Sequence, residues 1–345
     1  MAETDKIYIL GCGAIGLTLA AYLAHEGRNV VAVRTSKGNV SAGKIIITVN
    51  GADAELKIPV EMVSLSKLAT LHGMVVVTAK SYANKMIATS LVEKGFIGPI
   101  VIMQNGINIE NAFLESQFSQ IYRCVLYTTV QTIAENKVTF RPIASCPVGT
   151  IKGDQVDLEK CVRLLATRNF PFHAEKNIQR DVWKKAIVNA VFNSICPLLD
   201  VDNGIFTRDE NVAKLAEEII SECVVLAKTE GVSLTESELM EQILRISKGS
   251  DGVLISTLQD IRNGRETEIE SLNLEMARMA SSMRPKISLG KTGFLGNMIL
   301  AKSRCHRMGK SQKHSAAFPA TDSHQPISSS STSKIRVEFG GIAPG

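Results

Sequence analysis

At 345 residues the chain is too long for one ordinary hydrophobic core and fits two domains of about 150 residues each. Hydrophobic residues make up 45% and charged residues 21%, the balance of a globular protein rather than a disordered one, and no apolar run approaches the ~20 residues a bilayer requires. The net charge of +5 is concentrated in the stretch 302–345, which holds seven Lys/Arg against two Asp/Glu. The remainder is therefore neutral and gives no electrostatic case for a nucleic-acid partner.

The seven cysteines (Cys12, Cys124, Cys146, Cys161, Cys196, Cys223 and Cys305) are odd in number and contain no CxxC spacing or His-bearing cluster. That pattern argues against a disulfide framework and a zinc site, and for a reducing compartment. The acidic start MAETDK runs into a strand-like segment and does not read as a signal peptide. The expectation is a cytoplasmic protein that uses no metal.

In chain order, strands are predicted at 6–10, 30–33, 45–49, 73–78 and 99–103, with helices at 15–25, 81–93 and 108–117 between several of them. Such alternation predicts a parallel sheet covered on both faces. A hairpin-like pair at 124–132 and 137–141 should edge the sheet. A helix at 157–167 and a short strand at 172–174 should close the unit. Beyond residue 177 the pattern becomes helical, at 180–198, 210–229, 235–247, 252–263 and 266–283. The stretch 302–345, with nine Ser and three His, reads as a disordered Ser-rich basic tail. The predicted division is 1–176, 177–301 and 302–345: an α/β domain, an all-α domain and a tail.

The segment KIYILGCGAIG places Gly11, Gly13 and Gly16 in GxGxxG spacing directly after a strand and at the opening of an apolar helix. In that setting the first glycine permits the turn, the second lets a pyrophosphate approach the backbone, and the third lets helix and strand pack closely. The loop Gly11, Cys12, Gly13, Ala14, Ile15 and Gly16 is thus a candidate dinucleotide cradle of Rossmann type, with the helix N-terminus facing the phosphates. The second strand ends VVAVRTSK, with Arg34 and Lys37 and no acid. A carboxylate there would accept from a ribose 2′-OH, whereas a guanidinium pairs with a 2′-phosphate, so NADP is favoured over NAD.

The segment DVWKKAIVNAVFNSICPLL is apolar almost all round and should be buried. Lys185, Asn189 and Asn193 nevertheless recur every fourth residue and share one face. Unpartnered, they would be costly; facing a cavity, they suit a small anionic, oxygen-rich ligand. The alternative is a Lys185 that snorkels to the surface, with Lys184 as the neighbouring surface lysine. In STLQDIRNGRETEIESLN, Ser256 and Glu268 are candidates for inward-facing turns, and Asp260, Glu266 and Glu270 for solvated faces or ion pairs; spacing does not choose between Glu268 and Glu270. Lys80 and Asn105 lie just past the C-terminal ends of predicted strands, where open α/β sheets bind ligands.

Together these segments resemble the ketopantoate reductase (2-dehydropantoate 2-reductase) family over roughly residues 6–283. The resemblance is carried by GCGAIG, Arg34, AKSY around Lys80, QNG around Asn105, WKKAIVNAVFN, DNG around Asn203, and STLQDIRNGRETEIE. It implies NADPH-dependent reduction of 2-dehydropantoate, or of a related 2-keto acid, in pantothenate and coenzyme A synthesis; the alternative from another class is a non-catalytic NADP-binding regulator that uses the basic tail, against which Lys185, Glu268 and both helix asparagines speak. Lys185 would be the general acid and Glu268 would orient the substrate. Asn189, Asn193, Asn203 and Ser256 would bind it, Asn105 would lie between nicotinamide and substrate, and Lys80 would lie near the nicotinamide ribose. The implied partner is a small 2-keto acid, with no membrane or nucleic acid and with a homodimer left open. Thr257 stands where the family commonly has Met, and Leu274 where Gly often follows Asn.

Overall fold

The computed structural model describes residues 5–36, 42–51 and 54–315. Its strands are β1 (Ile7–Leu10), β2 (Val30–Arg34), β3 (Gly43–Asn50), β4 (Glu55–Ser64), β5 (Met74–Val77), β6 (Ile100–Ile102), β7 (Ile121–Cys124), β8 (Thr128–Ala134), β9 (Lys137–Pro142), β10 (Cys146–Lys152) and β11 (Phe172–Ala174). Among the described residues they form one sheet in the order β11-β10-β7-β6-β5-β1-β2-β4-β3-β9-β8. The run from β4 through β2, β1, β5 and β6 to β7 is parallel. β3, β8 and β10 are antiparallel to β4, β9 and β7 respectively, so the sheet is mixed rather than wholly parallel.

Strand periodicity assigns the two faces. Ile7 and Ile9 point to one core, shared with Leu19 and Leu23 of helix α1 (Ala14–His25) and Leu158 and Leu165 of α4 (Gln155–Leu165). Tyr8 and Leu10 point to the other, shared with Ile87 and Leu91 of α2 (Asn84–Glu93) and Phe113 of α3 (Asn111–Glu115). Burial on both faces explains why the central strands read as continuous apolar runs.

Three strands escape the sequence pattern: β7, and two that each carry proline. β4 contains Pro59, paired opposite Ile46 of β3; β10 contains Pro147 and Gly149. Proline in an apolar run ordinarily demotes it as a strand. The expected hairpin is formed by β8 and β9 at the sheet edge, but Cys124, its expected first residue, ends β7, inside the sheet. The predicted 108–117 helix contracts to α3, whose start is preceded by Asn108 at φ 56°.

After β11 the elements are helical: α5 (Ile178–Leu199), α6 (Ile205–Arg208), α7 (Glu210–Thr229), α8 (Glu236–Gly249), α9 (Ser256–Arg262), α10 (Asn273–Ser282) and α11 (Gly290–Ser315). The apolar body of α5, including Trp183, Ile187, Val191 and Phe192, forms the centre of a third core with Ile219 and Ile220 of α7, Leu239 and Ile243 of α8, and Met276 of α10. The single helix expected at 266–283 is divided by Leu272, whose backbone (φ −112°, ψ −102°) is not helical. Leu274 packs where Gly296 leaves room, since a Cβ at 296 would press on the Leu274 side chain. Helix α11 passes through position 302, where order was expected to stop, and continues to Ser315. The rest of the expected tail lies outside the described residues.

Gly149 is where the first of these helices meets the sheet. A Cβ there would collide with Ile178 Cβ and Glu175 O. We expect Gly149→Ala to destabilise the protein by about 1–3 kcal/mol, the usual cost of forcing a group into a packed contact, read as a lower Tm in thermal unfolding.

Candidate active site

The chain turns one way from β1 to β2 and β4, then returns to β5 on the other side of β1 and continues to β6 and β7. Crevices form at such a reversal, past the C-terminal strand ends. Four of the sequence-selected positions fall there: Gly11 after β1, Arg34 at the end of β2, Lys80 after β5 and Asn105 after β6. A cleft of about 1110 Å³ opens over them, walled on its far side by α5 and α9.

The glycine loop has three different local demands. Gly11 (φ +124°) lies so close to the end of β5 that a Cβ would strike Ala79 backbone atoms, and a Cβ on Gly16 would strike Gly11 O and Thr78 Oγ1. Thr78 Oγ1 donates to Gly11 O at 2.8 Å and locks this junction. Gly13 has open space in the direction of its absent side chain and borders the cleft, as do Cys12, Ala14 and Ile15. No side chain caps α1 and no acid occupies its first turn, leaving that helix end suited to an anion. Burial pushes the Cys12 thiol up to about 11, partly offset by Arg34, so it stays protonated.

Arg34 borders the same cleft with Thr35 and Ser36. Its Nη2 lies 3.7 Å from Met62 Sδ, and its buried Nε has no hydrogen-bond partner among the described residues. Lys37 lies outside the described residues.

On the opposite wall, α5 presents Lys185 and Asn189 to the cleft. Lys185 Nζ donates to the carbonyl of Leu126 at 2.6 Å. Burial lowers the Lys185 ammonium to about 8, below an ordinary lysine. The neighbouring thiols of Cys146 and Cys124 give little relief, because burial raises both and keeps them neutral. The group remains mostly charged near neutrality. Lys184 does not border the cleft.

Asn193 lies deeper on α5, 3% exposed, and its Oδ1 is 3.5 Å from the Ser256 hydroxyl at the cleft edge. Asn203 does not border the cleft: it is buried, its backbone N–H donates to Val253 O, and its Oδ1 has no partner among the described residues. The structure therefore brings Lys185, Asn189, Ser256, Glu268, Asn105 and Lys80 together, with Asn193 behind Ser256 and Asn203 apart.

Burial also separates the two glutamates that spacing left open. Glu268 is 9% exposed and reaches the cleft, whereas Glu270 is exposed. Glu268 Oε2 accepts from Lys80 Nζ at 3.1 Å and from Asn105 Nδ2 at 3.4 Å. Asp260, expected on a solvated face or in an ion pair, is 5% exposed and forms two such pairs, through Oδ2 to Lys80 at 3.1 Å and through Oδ1 to Arg265 at 2.8 Å. Burial opposes the Lys80 charge, but the carboxylates of Glu268 and Asp260 outweigh it and hold the ammonium above its ordinary value. The sequence reading also passed over Gln104 and Asn84, a reciprocal amide pair at 2.9 and 2.7 Å that ties the Asn105 loop to Ala79.

The glycine-rich turn at the sheet's reversal point and the facing helical wall define a Rossmann-type α/β protein with a helical second half. A family model described as ketopantoate reductase PanE/ApbA matches residues 7–153, and one described as ketopantoate reductase PanE/ApbA C terminal matches residues 177–292. The chain belongs to the ketopantoate reductase family and is an oxidoreductase.

Two proteins named 2-dehydropantoate 2-reductase illustrate the similarity. The one from Pyrococcus abyssi is 26% identical over 289 residues, covering 81% of this chain and 92% of its own. The one from Streptococcus pyogenes serotype M6 is 23% identical over 275 residues, covering 77% and 88%. Among solved structures, the PanE/ApbA family ketopantoate reductase from Ralstonia eutropha aligns with a TM-score of 0.75 at 20% identity, covering 88% of this chain and 99% of its own. A D-mandelate dehydrogenase, solved with NADH and anilino(oxo)acetate, gives the same TM-score at 21% identity, covering 87% and 99%. These structural likenesses establish a shared fold. No helix among the described residues is long and apolar enough to cross a membrane.

Holding an ammonium in a partly dehydrated site costs folding free energy. We expect Lys185→Met, which keeps the apolar stem, to raise stability by about 1–2 kcal/mol. Chemical denaturation of the two proteins at neutral pH measures the difference.

Proposed function

We propose that this protein is an NADPH-dependent reductase of 2-keto acids, converting 2-dehydropantoate to pantoate. Residues 1–176 would hold the cofactor, and residues 177–301 would supply the proton donor. The observation that carries the reading is the presence of Lys185 on the same cleft as the glycine loop and Arg34. The two curated relatives described above support the choice of keto acid through their names. The free state of all seven cysteines supports a reducing, cytoplasmic setting.

The residues present fit an NADPH molecule. Gly13 leaves a backbone approach open, the α1 N-terminus suits the pyrophosphate, and the guanidinium of Arg34, whose buried Nε lacks a hydrogen-bond partner, suits a 2′-phosphate. Bound there, the nicotinamide would supply a hydride to the keto carbon.

The protein's own task is to stabilise and protonate the ketone oxygen as negative charge develops on it. Lys185 Nζ does both, as the cation near that oxygen and as the proton donor. Its lowered proton affinity helps, because a donor that titrates near the working pH is both charged and willing to give up its proton. Asn189 and Ser256 offer hydrogen bonds to the keto acid from the same wall. Glu268, held between Lys80 and Asn105, is an acceptor for a substrate hydroxyl.

The experiment is steady-state oxidation of NADPH with 2-dehydropantoate, beside a panel of other 2-keto acids including an aryl one. Highest kcat/KM for 2-dehydropantoate is expected; a higher value for another member reassigns the substrate, and no turnover with any member contradicts the reading. Lys185→Ala should lower kcat by about 100-fold or more, within the range of general acid catalysis. Arg34→Ala should raise KM for NADPH while leaving the weaker NADH reaction nearly unchanged. An equal loss with both cofactors would mean that Arg34 does not read the 2′-phosphate.

A further inference from the structure

One full positive charge inside the sheet has no part in the mechanism above. Arg123 lies in β7, in register with Ile102 of β6 on one side and Gly149 of β10 on the other, and is 2% exposed. Its Nη2 donates to Gly106 O at 2.8 Å. Its Nε and Nη1 are buried with no hydrogen-bond partner among the described residues. The charged and titratable groups around it are Glu110, Cys124, Glu268 and Lys185, and Glu110 Oε2 is itself buried without a partner among the described residues. A guanidinium buried and so incompletely paired opposes folding, so its presence calls for an explanation in geometry or charge.

The geometry is that of a clamp. Asn105 sits between two fixed neighbours. Gln104 is held by Asn84 and by Ala79 O. On the other side, Gly106 has φ +120° and lies so close to Ser271 that a Cβ would press on that residue's O and Cβ. Ile107 N donates to Ser271 O at 2.9 Å, and Ser271 Oγ donates to Glu268 O at 3.0 Å. Arg123 supplies the remaining anchor for this corner from inside the sheet, on the carbonyl next to Asn105.

Arg123 is also close along the chain to the carbonyl that holds the proton donor. Lys185 Nζ is bonded to the carbonyl of Leu126, three residues along the chain from Arg123, a span of about 10 Å at full extension. The charged and titratable groups facing Lys185 are Cys146, Cys124, Arg123 and Glu268. Of these, Arg123 is the one that disfavours the ammonium.

We infer that Arg123 is a positioning residue for the reduction: through Gly106 it fixes Asn105 at the cleft wall, and its buried positive charge bears on Lys185. The inference rests on Lys185 as proton donor. Loss of Arg123 loosens the corner that carries Asn105 and lets Lys185 hold its proton more tightly.

The test uses the full chain with Arg123→Gln and Arg123→Lys. Three quantities are read: KM for the keto acid against kcat, the pH at which kcat/KM begins to fall, and the pH dependence of Lys185 acetylation by acetic anhydride in the enzyme without substrates, quantified by mass spectrometry. Arg123→Gln should raise KM for the keto acid about tenfold, the worth of one hydrogen bond to a charged group. It should also move both the kinetic limb and the labelling midpoint to higher pH. Arg123→Lys keeps the charge and gives up the bond to Gly106, so the midpoints should return towards the parent while KM stays raised.

A folded Arg123→Gln with unmoved KM and midpoints overturns the inference, as does a loss of rate that only tracks lost folded protein. Where Arg123→Gln does not fold, Arg123→Lys decides: a raised KM with an unmoved labelling midpoint supports the inference, and an unchanged KM overturns it. The labelling needs no turnover, so it reports whether Arg123 acts on Lys185 even if Lys185→Ala turns over normally and the proton-donor reading itself fails.

Discussion

The site depends on the bond from the Lys185 ammonium to the carbonyl of Leu126. It joins the central helix of the helical half to the segment leaving β7, and so places a side chain of that half over the strand ends of the other. The surroundings that make this lysine costly to bury also bring its proton affinity down to about 8. Stability and reactivity are therefore coupled in one group, as is common where a charged side chain is held out of water to do chemistry.

The second constraint is the contact between the ends of β1 and β5. Gly11 and Gly16 lack room for any side chain, while Gly13 has open space. Two of the three glycines are thus explained by packing within the chain, and the third leaves backbone exposed to the cleft. Lys80, two residues beyond Thr78 at that junction, is drawn across the cleft by Asp260 and Glu268. These paired charges link the sheet to α9 and the segment after it.

Much of this was legible in the sequence. The glycine spacing, the strand-end Arg34 and the four-residue rhythm of Lys185, Asn189 and Asn193 depend on local order, which a single chain displays directly. What was missed depends on distance or on rule-breaking residues. Asp260 looked like one acid among several because its partner Lys80 is 180 positions away. β4 and β10 were hidden by Pro59 and Pro147. Arg123 reads as an ordinary charge until the register of β7 shows that it is enclosed. Asn203, carried by the family resemblance rather than by spacing, lies away from the cleft. The early end placed at 302 followed composition, whereas α11 is held past that point by Lys302 on Pro197 O and by buried Ser303.

The most direct test of the account is the pH dependence of kcat/KM for the keto acid at saturating NADPH. A donor that must be protonated, with its affinity lowered by burial to about 8, predicts a plateau on the acid side of that value and a tenfold fall per pH unit above it. Lys185→Ala should remove that limb together with most of the rate. A profile that stays level well beyond pH 8 in the parent enzyme, with Lys185→Ala retaining near-normal turnover, would contradict the central claim.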